Sequence, residues 1–230
     1  MADHGVPQHP PPAHRAHPGG SVKILVVGAA GRTGQHLLEQ AAGRGHTVTA
    51  LARRAQDNPG FTGVPRVHSG DATDPDTVRE ALRDQHAVVM AVGASAIVRT
   101  LVPAMQHAGV RRLVMTSSRS VVATRPRPII DLVWLRFRAV YADLVRAEGM
   151  LEASDLDWSI VRATMLTDTP PLGAVHTDFE ANATGGDWKL GRADYAMALL
   201  DILEDDTMVR RAVGVCGQRT RPRAPASPDA

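Results

Sequence analysis

The segment SVKILVVGAAGRTG, residues 21–34, decides the fold of this chain. Its unbroken apolar run at residues 24–27 is typical of a strand buried on both faces, as in a parallel sheet covered by helices. Three glycines follow: Gly28 suits a tight turn, Gly31 lets backbone approach a pyrophosphate, and Gly34 lets the next helix pack closely. The segment predicts a nucleotide-binding strand–turn–helix unit, with an ordinary turn of small residues as the alternative.

The rest of the chain alternates between strand and helix patterns. Further strands are predicted at residues 46–52, 64–68, 87–92, 112–115, 158–162 and 212–216. Helices are predicted at residues 33–44, 75–83, 96–108, 131–153 and 195–203, with a proline-rich loop at residues 166–173. Asp74 is the predicted N-cap of the second helix, with Pro75 at its first position, and the fourth helix is expected to slacken near Gly149. The polar residues 116–118 are expected to end the fifth strand. The alternation predicts an α/β fold, a Rossmann-type doubly wound parallel sheet in a single domain.

Ligands of such sheets bind beyond the carboxyl ends of the strands. Five residues fall at those ends and are candidate site residues: Gly28, Arg53, Asp71, Gly93 and Ser117. The first helix would direct its free N–H groups and its positive dipole end at the phosphates of a nucleotide.

The end of the second strand indicates which nicotinamide cofactor is preferred. Domains that prefer NAD carry a carboxylate there, which binds the ribose 2′-hydroxyl. This chain has Arg53 and Arg54 instead, and guanidinium groups can bind a 2′-phosphate that a carboxylate would repel. We therefore expect NADP(H), with Arg32 of the glycine turn as a further positive group. For Arg54, a solvated loop arginine is an equal alternative.

With these residues assembled, the chain resembles the atypical short-chain dehydrogenases/reductases, in the branch that includes the NmrA-like NAD(P)-binding proteins and biliverdin reductase B (flavin reductase). The resemblance covers about residues 22–217. It rests on the order and spacing of seven segments: GAAGRTG (28–34), VTALARR (48–54), SGDATDPDTVREAL (69–82), AVVMAVG (87–93), GVRRLVMTSS (109–118), LEASDLDWSIVRATMLTD (151–168) and GRADYAMALLDILED (191–205).

The resemblance implies an NADP(H) site with a place for each part of the cofactor. The pyrophosphate would be held by Gly28, Gly31, Arg32, Thr33 and Gly34, and the 2′-phosphate by Arg53. The remaining residues would run from the adenine to the nicotinamide: Asp71 and Ala72, then Val92 and Gly93, then Ser117 as the catalytic candidate, then Ala163, Thr164 and Met165. Asp71 could instead serve a turn, and the Ser117 hydroxyl could be satisfied by nearby backbone.

One departure from the family bears on chemistry. Reductases of the wider family carry a tyrosine with a lysine four residues later, and the lysine lowers the pKa of the tyrosine. Here Tyr141 is followed by Val145 and Tyr195 by Leu199, so the pair is absent. The proline common after the arginine of the sixth strand is likewise replaced by Ala163.

Two functions stay open. The first is an NADPH-dependent reductase that passes hydride to a flavin, a quinone or a similar planar acceptor, where positioning supplies the acceleration and solvent the proton. The second is a non-catalytic NADP(H)-binding sensor of the NmrA-like kind. A sugar-nucleotide epimerase is disfavoured because it needs the absent pair.

In a reductase, residues 125–138 and 166–175 should wall a cleft over the nicotinamide. Arg127, Arg136, Arg138 and Trp134 could attract and stack an anionic aromatic acceptor, or could be solvated on a helix.

The bulk composition excludes several classes. The chain has 230 residues, of which 43% are hydrophobic and 3% aromatic, and its net charge of +2 is weak support for nucleic-acid binding. The single cysteine, Cys216, excludes an internal disulfide framework, no ligand spacing points to a metal site, and no stretch reaches the length of a membrane span. We expect a cytoplasmic monomer whose partner is a small-molecule acceptor, with residues 21–218 as the NAD(P)-binding domain, its C-terminal segments forming the substrate pocket, and disordered tails at 1–20 and 219–230.

Overall fold

The computed structural model describes residues 20–55, 59–124, 127–182 and 185–219, so the predicted tails lie outside the described residues except for Gly20 and Arg219. The strands are β1 Lys23–Val27, β2 Thr47–Ala52, β3 Arg66–Ser69, β4 Ala87–Met90, β5 Arg112–Ser118, β6 Asp157–Ala163, β7 Met165–Thr167, β8 Val175–Asp178, β9 Lys189–Gly191 and β10 Arg211–Gly217. The α-helices are α1 Arg32–Gly43, α2 Pro75–Ala81, α3 Ser95–Ala108, α4 Arg127–Glu152 and α5 Arg192–Glu204.

Eight strands form one sheet in the order β3-β2-β1-β4-β5-β6-β10-β8. Neighbouring strands are parallel from β3 to β10, and only β8 at the edge runs antiparallel. The strand order reverses direction between β1 and β4, which makes this the switch point where doubly wound sheets bind their ligands. The predicted Rossmann-type doubly wound fold is confirmed.

Strand β1 is buried on both faces, as its apolar run predicted. Ile24 and Val26 pack in one core cluster with residues of α1 and α5, whereas Leu25 and Val27 pack in a second cluster with residues of α2, α3 and α4. Side chains of successive residues point to opposite faces of a strand, so a strand covered on both sides must be apolar at every position.

Several local predictions were wrong. The polar residues 116–118 do not end β5, because they continue its pairing with residues 161–163 of β6. Helix α4 passes through Gly149 and loses helical geometry at Phe137 instead, where φ is −119° and ψ is 22°. The predicted loop at 166–173 begins inside β7, which pairs with β9 in a separate two-stranded sheet. Helix α5 begins three residues earlier than predicted, at Arg192.

Candidate functional site

The glycine turn after β1 has the conformation that its sequence predicted. Gly28 has a φ of +80°, which favours glycine, and its N–H donates to the Leu51 carbonyl of β2. A Cβ on Gly34 would lie 2.5 Å from the carbonyl oxygen of Gly28, so α1 packs directly on the turn. No side chain caps the N-terminus of α1, and its first turn holds no acidic residue. The turn can therefore receive a phosphate group.

Arg53 and Arg54 are exposed in the turn that follows β2. Asp71, after β3, lies close enough to Arg53 for the guanidinium charge to help lower its pKa, although the larger cause is the hydrogen bond from the Thr73 N–H. The Asp71 carboxylate accepts from the Thr73 N–H at 2.9 Å and from the Thr73 hydroxyl at 2.8 Å. The Asp71 carboxylate thus stabilises the turn at residues 71–73, and the neighbouring Ala72 is buried.

Arg32 has an acidic partner that the sequence did not reveal. Its Nη1 lies 2.5 Å from Oδ2 of Asp168, and Nη1 of Arg192 lies 2.6 Å from Oδ1 of the same carboxylate. Partial burial would raise the pKa of Asp168, but the hydrogen bonds and charges of the two arginines hold it below its ordinary value. One carboxylate therefore joins the glycine turn to the start of α5.

The segment that follows Asp168 is also tied to α5. The buried Asp194 carboxylate accepts from the backbone N–H of Leu172 at 3.0 Å and of Gly173 at 2.9 Å. Residues 168–173 therefore form a strap that runs from the start of α5 to the glycine turn. The sequence predicted that this segment lies beside the cofactor, but it did not reveal that Asp168 and Asp194 hold the segment in place.

Ser117, the catalytic candidate, lies near the end of β5 and is 4% exposed. Its hydroxyl donates to Oε1 of Glu148 on α4 at 2.5 Å. Arg162 of β6 donates to the same carboxylate from Nε at 3.2 Å and from Nη2 at 2.6 Å. The alternative prediction for Ser117, a hydroxyl satisfied by nearby backbone, was wrong, because its partner is a buried side chain. Neither Glu148 nor Arg162 was singled out from the sequence.

Helix α4 also fixes the loop after β4. A Cβ on Gly93 would lie 2.4 Å from Cδ2 of Leu144, so this predicted site glycine allows α4 to approach. Val92, its neighbour, is 39% exposed and lies against Gly28. Asp143 accepts from the Ser95 hydroxyl at 2.5 Å and from the Ser95 N–H at 3.0 Å, which caps α3 and lowers the pKa of Asp143.

The residues after β6 divide between the core and the surface. Ala163 and Thr164 are buried, and the Thr164 N–H donates to the Val215 carbonyl at 3.1 Å. Met165 is 45% exposed. Only Met165 therefore presents substantial surface to a ligand.

Tyr195 lacks the setting of a proton donor, and Tyr141 lies in a cluster of aromatic rings. Tyr195 is fully buried, its hydroxyl donates to the Val161 carbonyl at 2.8 Å, and burial raises its pKa far above the ordinary value. Tyr141 packs beside Trp134 and Phe137, with ring centroids 5.3 Å and 6.1 Å away. The tyrosine–lysine pair is absent from the structure as it is from the sequence, since Lys23 opens β1 and Lys189 opens β9.

His176, Asp178 and Cys216 place possible metal-ligand atoms within 4.8 Å of one another. The fully buried guanidinium of Arg119, however, takes both oxygens of Asp178, at 2.6 Å and 3.0 Å. Burial also raises the pKa of the Cys216 thiol, which opposes the thiolate that a metal needs. The cluster is thus organised as an ion pair. Across the described ranges, no helix is both long enough and apolar enough to cross a membrane.

Fold and site together define a Rossmann-type dinucleotide-binding protein. The model of the NAD(P)H-binding family matches residues 28–206, and the chain belongs to that family. This membership confirms the resemblance to the atypical short-chain dehydrogenases/reductases and supports a nicotinamide cofactor.

One curated relative is similar in sequence, and two solved structures share the fold. The chloroplastic protein At2g34460 of Arabidopsis thaliana is 28% identical over 178 residues, and the match spans 66% of this chain and 62% of that protein. A short-chain dehydrogenase/reductase from Veillonella parvula in complex with NADP superposes with a TM-score of 0.78 at 21% identity, over 85% of this chain and 94% of that one. ChuY, an anaerobilin reductase from Escherichia coli O157:H7, superposes with a TM-score of 0.75 at 22% identity, over 87% of this chain and 100% of its own.

Proposed function

We propose that this protein is an NADPH-dependent reductase that passes hydride to a planar acceptor such as a flavin or a quinone. The glycine turn and the uncapped α1 fit a dinucleotide pyrophosphate, and Arg53 fits a 2′-phosphate. The NADP bound by the Veillonella protein and the reductase activity named for ChuY, both on this fold, support the proposal. When bound, NADPH supplies the hydride.

The observation that carries the proposal is an aromatic segment of α4 that projects beyond the carboxyl edge of the sheet. Leu144 meets Gly93 at that edge, and the indole N–H of Trp134 donates to the carbonyl of Ser120, just past β5, at 2.7 Å. The α4 residues that precede Leu144 therefore lie beyond the end of β5, on the side where we propose that the nicotinamide binds.

This segment is rich in the side chains that a planar acceptor needs. The chain has three tryptophans, three phenylalanines and two tyrosines, and one of each type lies within residues 134–141. Phe137 is 45% exposed, with the Arg136 guanidinium 5.3 Å from its ring centroid. Aromatic faces stack on planar molecules, and the adjacent arginine favours an anionic one.

We assign the proton to solvent, because neither Tyr195 nor Ser117 is free to supply it. The Tyr195 hydroxyl is buried and donates to the Val161 carbonyl, and the Ser117 hydroxyl donates its proton to a hydrogen bond with Glu148. An acceptor that is easily reduced needs mainly a hydride brought into line, so positioning by the edge of the sheet and by α4 suffices.

The experiment is NADPH consumption by the purified protein with FMN, FAD, a quinone and biliverdin in turn, together with a direct cofactor titration. We expect turnover with at least one acceptor. Phe137→Ala should raise the KM for that acceptor and leave NADPH affinity unchanged. Phe179→Ala is the control: Phe179 is also exposed and has an arginine guanidinium, that of Arg211, 5.5 Å from its ring centroid. Its loss should change neither the KM for the acceptor nor the NADPH affinity.

The second candidate is a non-catalytic NADP(H) sensor, which the missing tyrosine–lysine pair favours. Tight NADPH binding without turnover on any acceptor would replace the reductase with the sensor. No binding at all would contradict both.

A further inference from the structure

The buried group Ser117–Glu148–Arg162 joins three elements at one point: β5, α4 and β6. Ser117 and Arg162 are directly opposite in the parallel pairing of β5 with β6, and Glu148 reaches both from the helix above. The side chains of Glu148 and Arg162 are 6% and 18% exposed. A buried carboxylate in such a place is held by its partners in one geometry.

The hydrogen bonds within this group define where its protons lie. A carboxylate paired with a guanidinium has acceptor sites only, so the hydrogen between Ser117 and Glu148 belongs to the serine hydroxyl. Ser117 has no second proton to donate. A ligand group that approaches Oγ of Ser117 would therefore meet only lone pairs.

The position of Ser117 in the sheet relates it to one half of the proposed cofactor. A dinucleotide crosses the sheet edge at the switch point between β1 and β4. The 2′-phosphate end lies towards β2, where Arg53 stands, so the nicotinamide end lies over β4 and β5. The nicotinamide carboxamide carries an NH₂ group, which is a hydrogen-bond donor and needs an acceptor.

We propose that Glu148 is a positioning residue that fixes Ser117 as an acceptor for the nicotinamide carboxamide. Ser117 then orients the nicotinamide ring and is not a proton donor. The inference rests on the proposed NADPH site, and it deepens that proposal by assigning the residues that recognise the nicotinamide end.

The test compares the dissociation constants of NADPH and of its reduced 3-acetylpyridine analogue, in which a methyl ketone replaces the carboxamide and removes its N–H donors. The wild-type protein should bind NADPH about two- to tenfold more tightly than the analogue, the range expected for one neutral hydrogen bond. Ser117→Ala should bring this ratio to about one, and so should Glu148→Gln, whose amide can donate to Ser117 and reverse its polarity.

A ratio of two affinities is unaffected by a partly unfolded sample, so a purely structural role of Glu148 would not change it. Ser118→Ala is the matched control, because the neighbouring hydroxyl accepts from the Ser120 N–H, at 3.3 Å, and its loss should keep the wild-type ratio. Should Glu148→Gln fail to fold, Glu148→Ala takes its place as the test of Glu148, and Ser117→Ala, which leaves the Glu148–Arg162 pair intact, still decides whether Ser117 is the acceptor.

A wild-type ratio near one, or an unchanged ratio in Ser117→Ala, would overturn the inference while leaving the NADPH site in place. If the affinity ratio falls to about one in Ser117→Ala but keeps its wild-type value in Glu148→Gln, the role of Glu148 is overturned. A wild-type protein that binds neither dinucleotide would instead overturn the proposed function, and this inference with it.

Discussion

Substituting Gly34 by alanine tests whether close packing of α1 on the glycine turn holds the site together. The added Cβ would lie 2.5 Å from the Gly28 oxygen, 2.7 Å from the Ala29 oxygen and 2.8 Å from the Ala29 carbonyl carbon. All three atoms belong to backbone, which cannot rotate away as a side chain can. Ordinary contact begins at 3.4 Å, so the start of α1 would have to withdraw by about 0.9 Å.

The expected cost follows from this displacement. Overpacking of this kind destabilises a protein by about 1–3 kcal/mol. For a domain of this size, such a loss lowers the melting temperature by about 2–12 °C. The turn that receives the pyrophosphate moves with the helix, so NADPH affinity should fall as well.

The matched control is Gly43→Ala, at the other end of the same helix. A Cβ at Gly43 would meet nothing within 4 Å, and alanine favours the helical conformation by up to about 1 kcal/mol over glycine. Thermal unfolding followed by circular dichroism should therefore place the two variants on opposite sides of the wild type. A Gly34→Ala protein as stable as Gly43→Ala would refute the packing argument.

Three further substitutions test two charges of the proposed site and one titratable group elsewhere in the sheet, His68 of β3. Arg53→Glu should weaken NADPH binding by about tenfold or more while changing NADH binding little, because a charge-assisted bond to the 2′-phosphate becomes a repulsion; equal losses in the two titrations would contradict the assignment. Asp168→Asn should release Arg32 and Arg192 for the cofactor phosphates and strengthen NADPH binding by up to about fivefold at low salt, as expected for an exposed ion pair; weaker binding in the same titration would mean that Asp168 supports the bound state. For His68, burial lowers the pKa below its ordinary 6.5, so the unfolded chain takes up the proton first and stability is lost as the pH falls through 6.5. The free energy of unfolding, measured by denaturant titration above and below that pH, should therefore fall less in His68→Gln than in the wild type. Equal decreases in the two proteins would contradict the assignment of this pH dependence to His68.

Local signals in the chain predicted most of the fold. The apolar runs at 24–27 and 87–92 predicted a sheet buried on both faces, and the glycines predicted the turn between β1 and α1. The Asp74-Pro75 start of α2 is observed as predicted, with the Asp74 carboxylate accepting from the Thr77 N–H at 3.0 Å. Each of these signals lies within a few residues of the structure that it specifies.

The predictions that failed depend on distant partners. Polar residues 116–118 stay in β5 because β6, some forty residues later, supplies their pairing. The short strands β7, β8 and β9 have no strong apolar run of their own, and each is held by a neighbour from another part of the chain. Tertiary context overrides local preference in such segments.

By itself, the sequence determined the doubly wound sheet, the glycine turn and a basic group in place of the acidic one after β2. These features follow from side-chain periodicity, backbone freedom and charge, all of which act over short stretches. Only the tertiary structure decided what the site's polar groups contact. Arg32 and Asp168 lie 136 residues apart in the chain, and Ser117 and Glu148 lie 31 apart. Hydrogen-bond partners at such separations are selected by how the sheet and helices pack, and no local pattern encodes them.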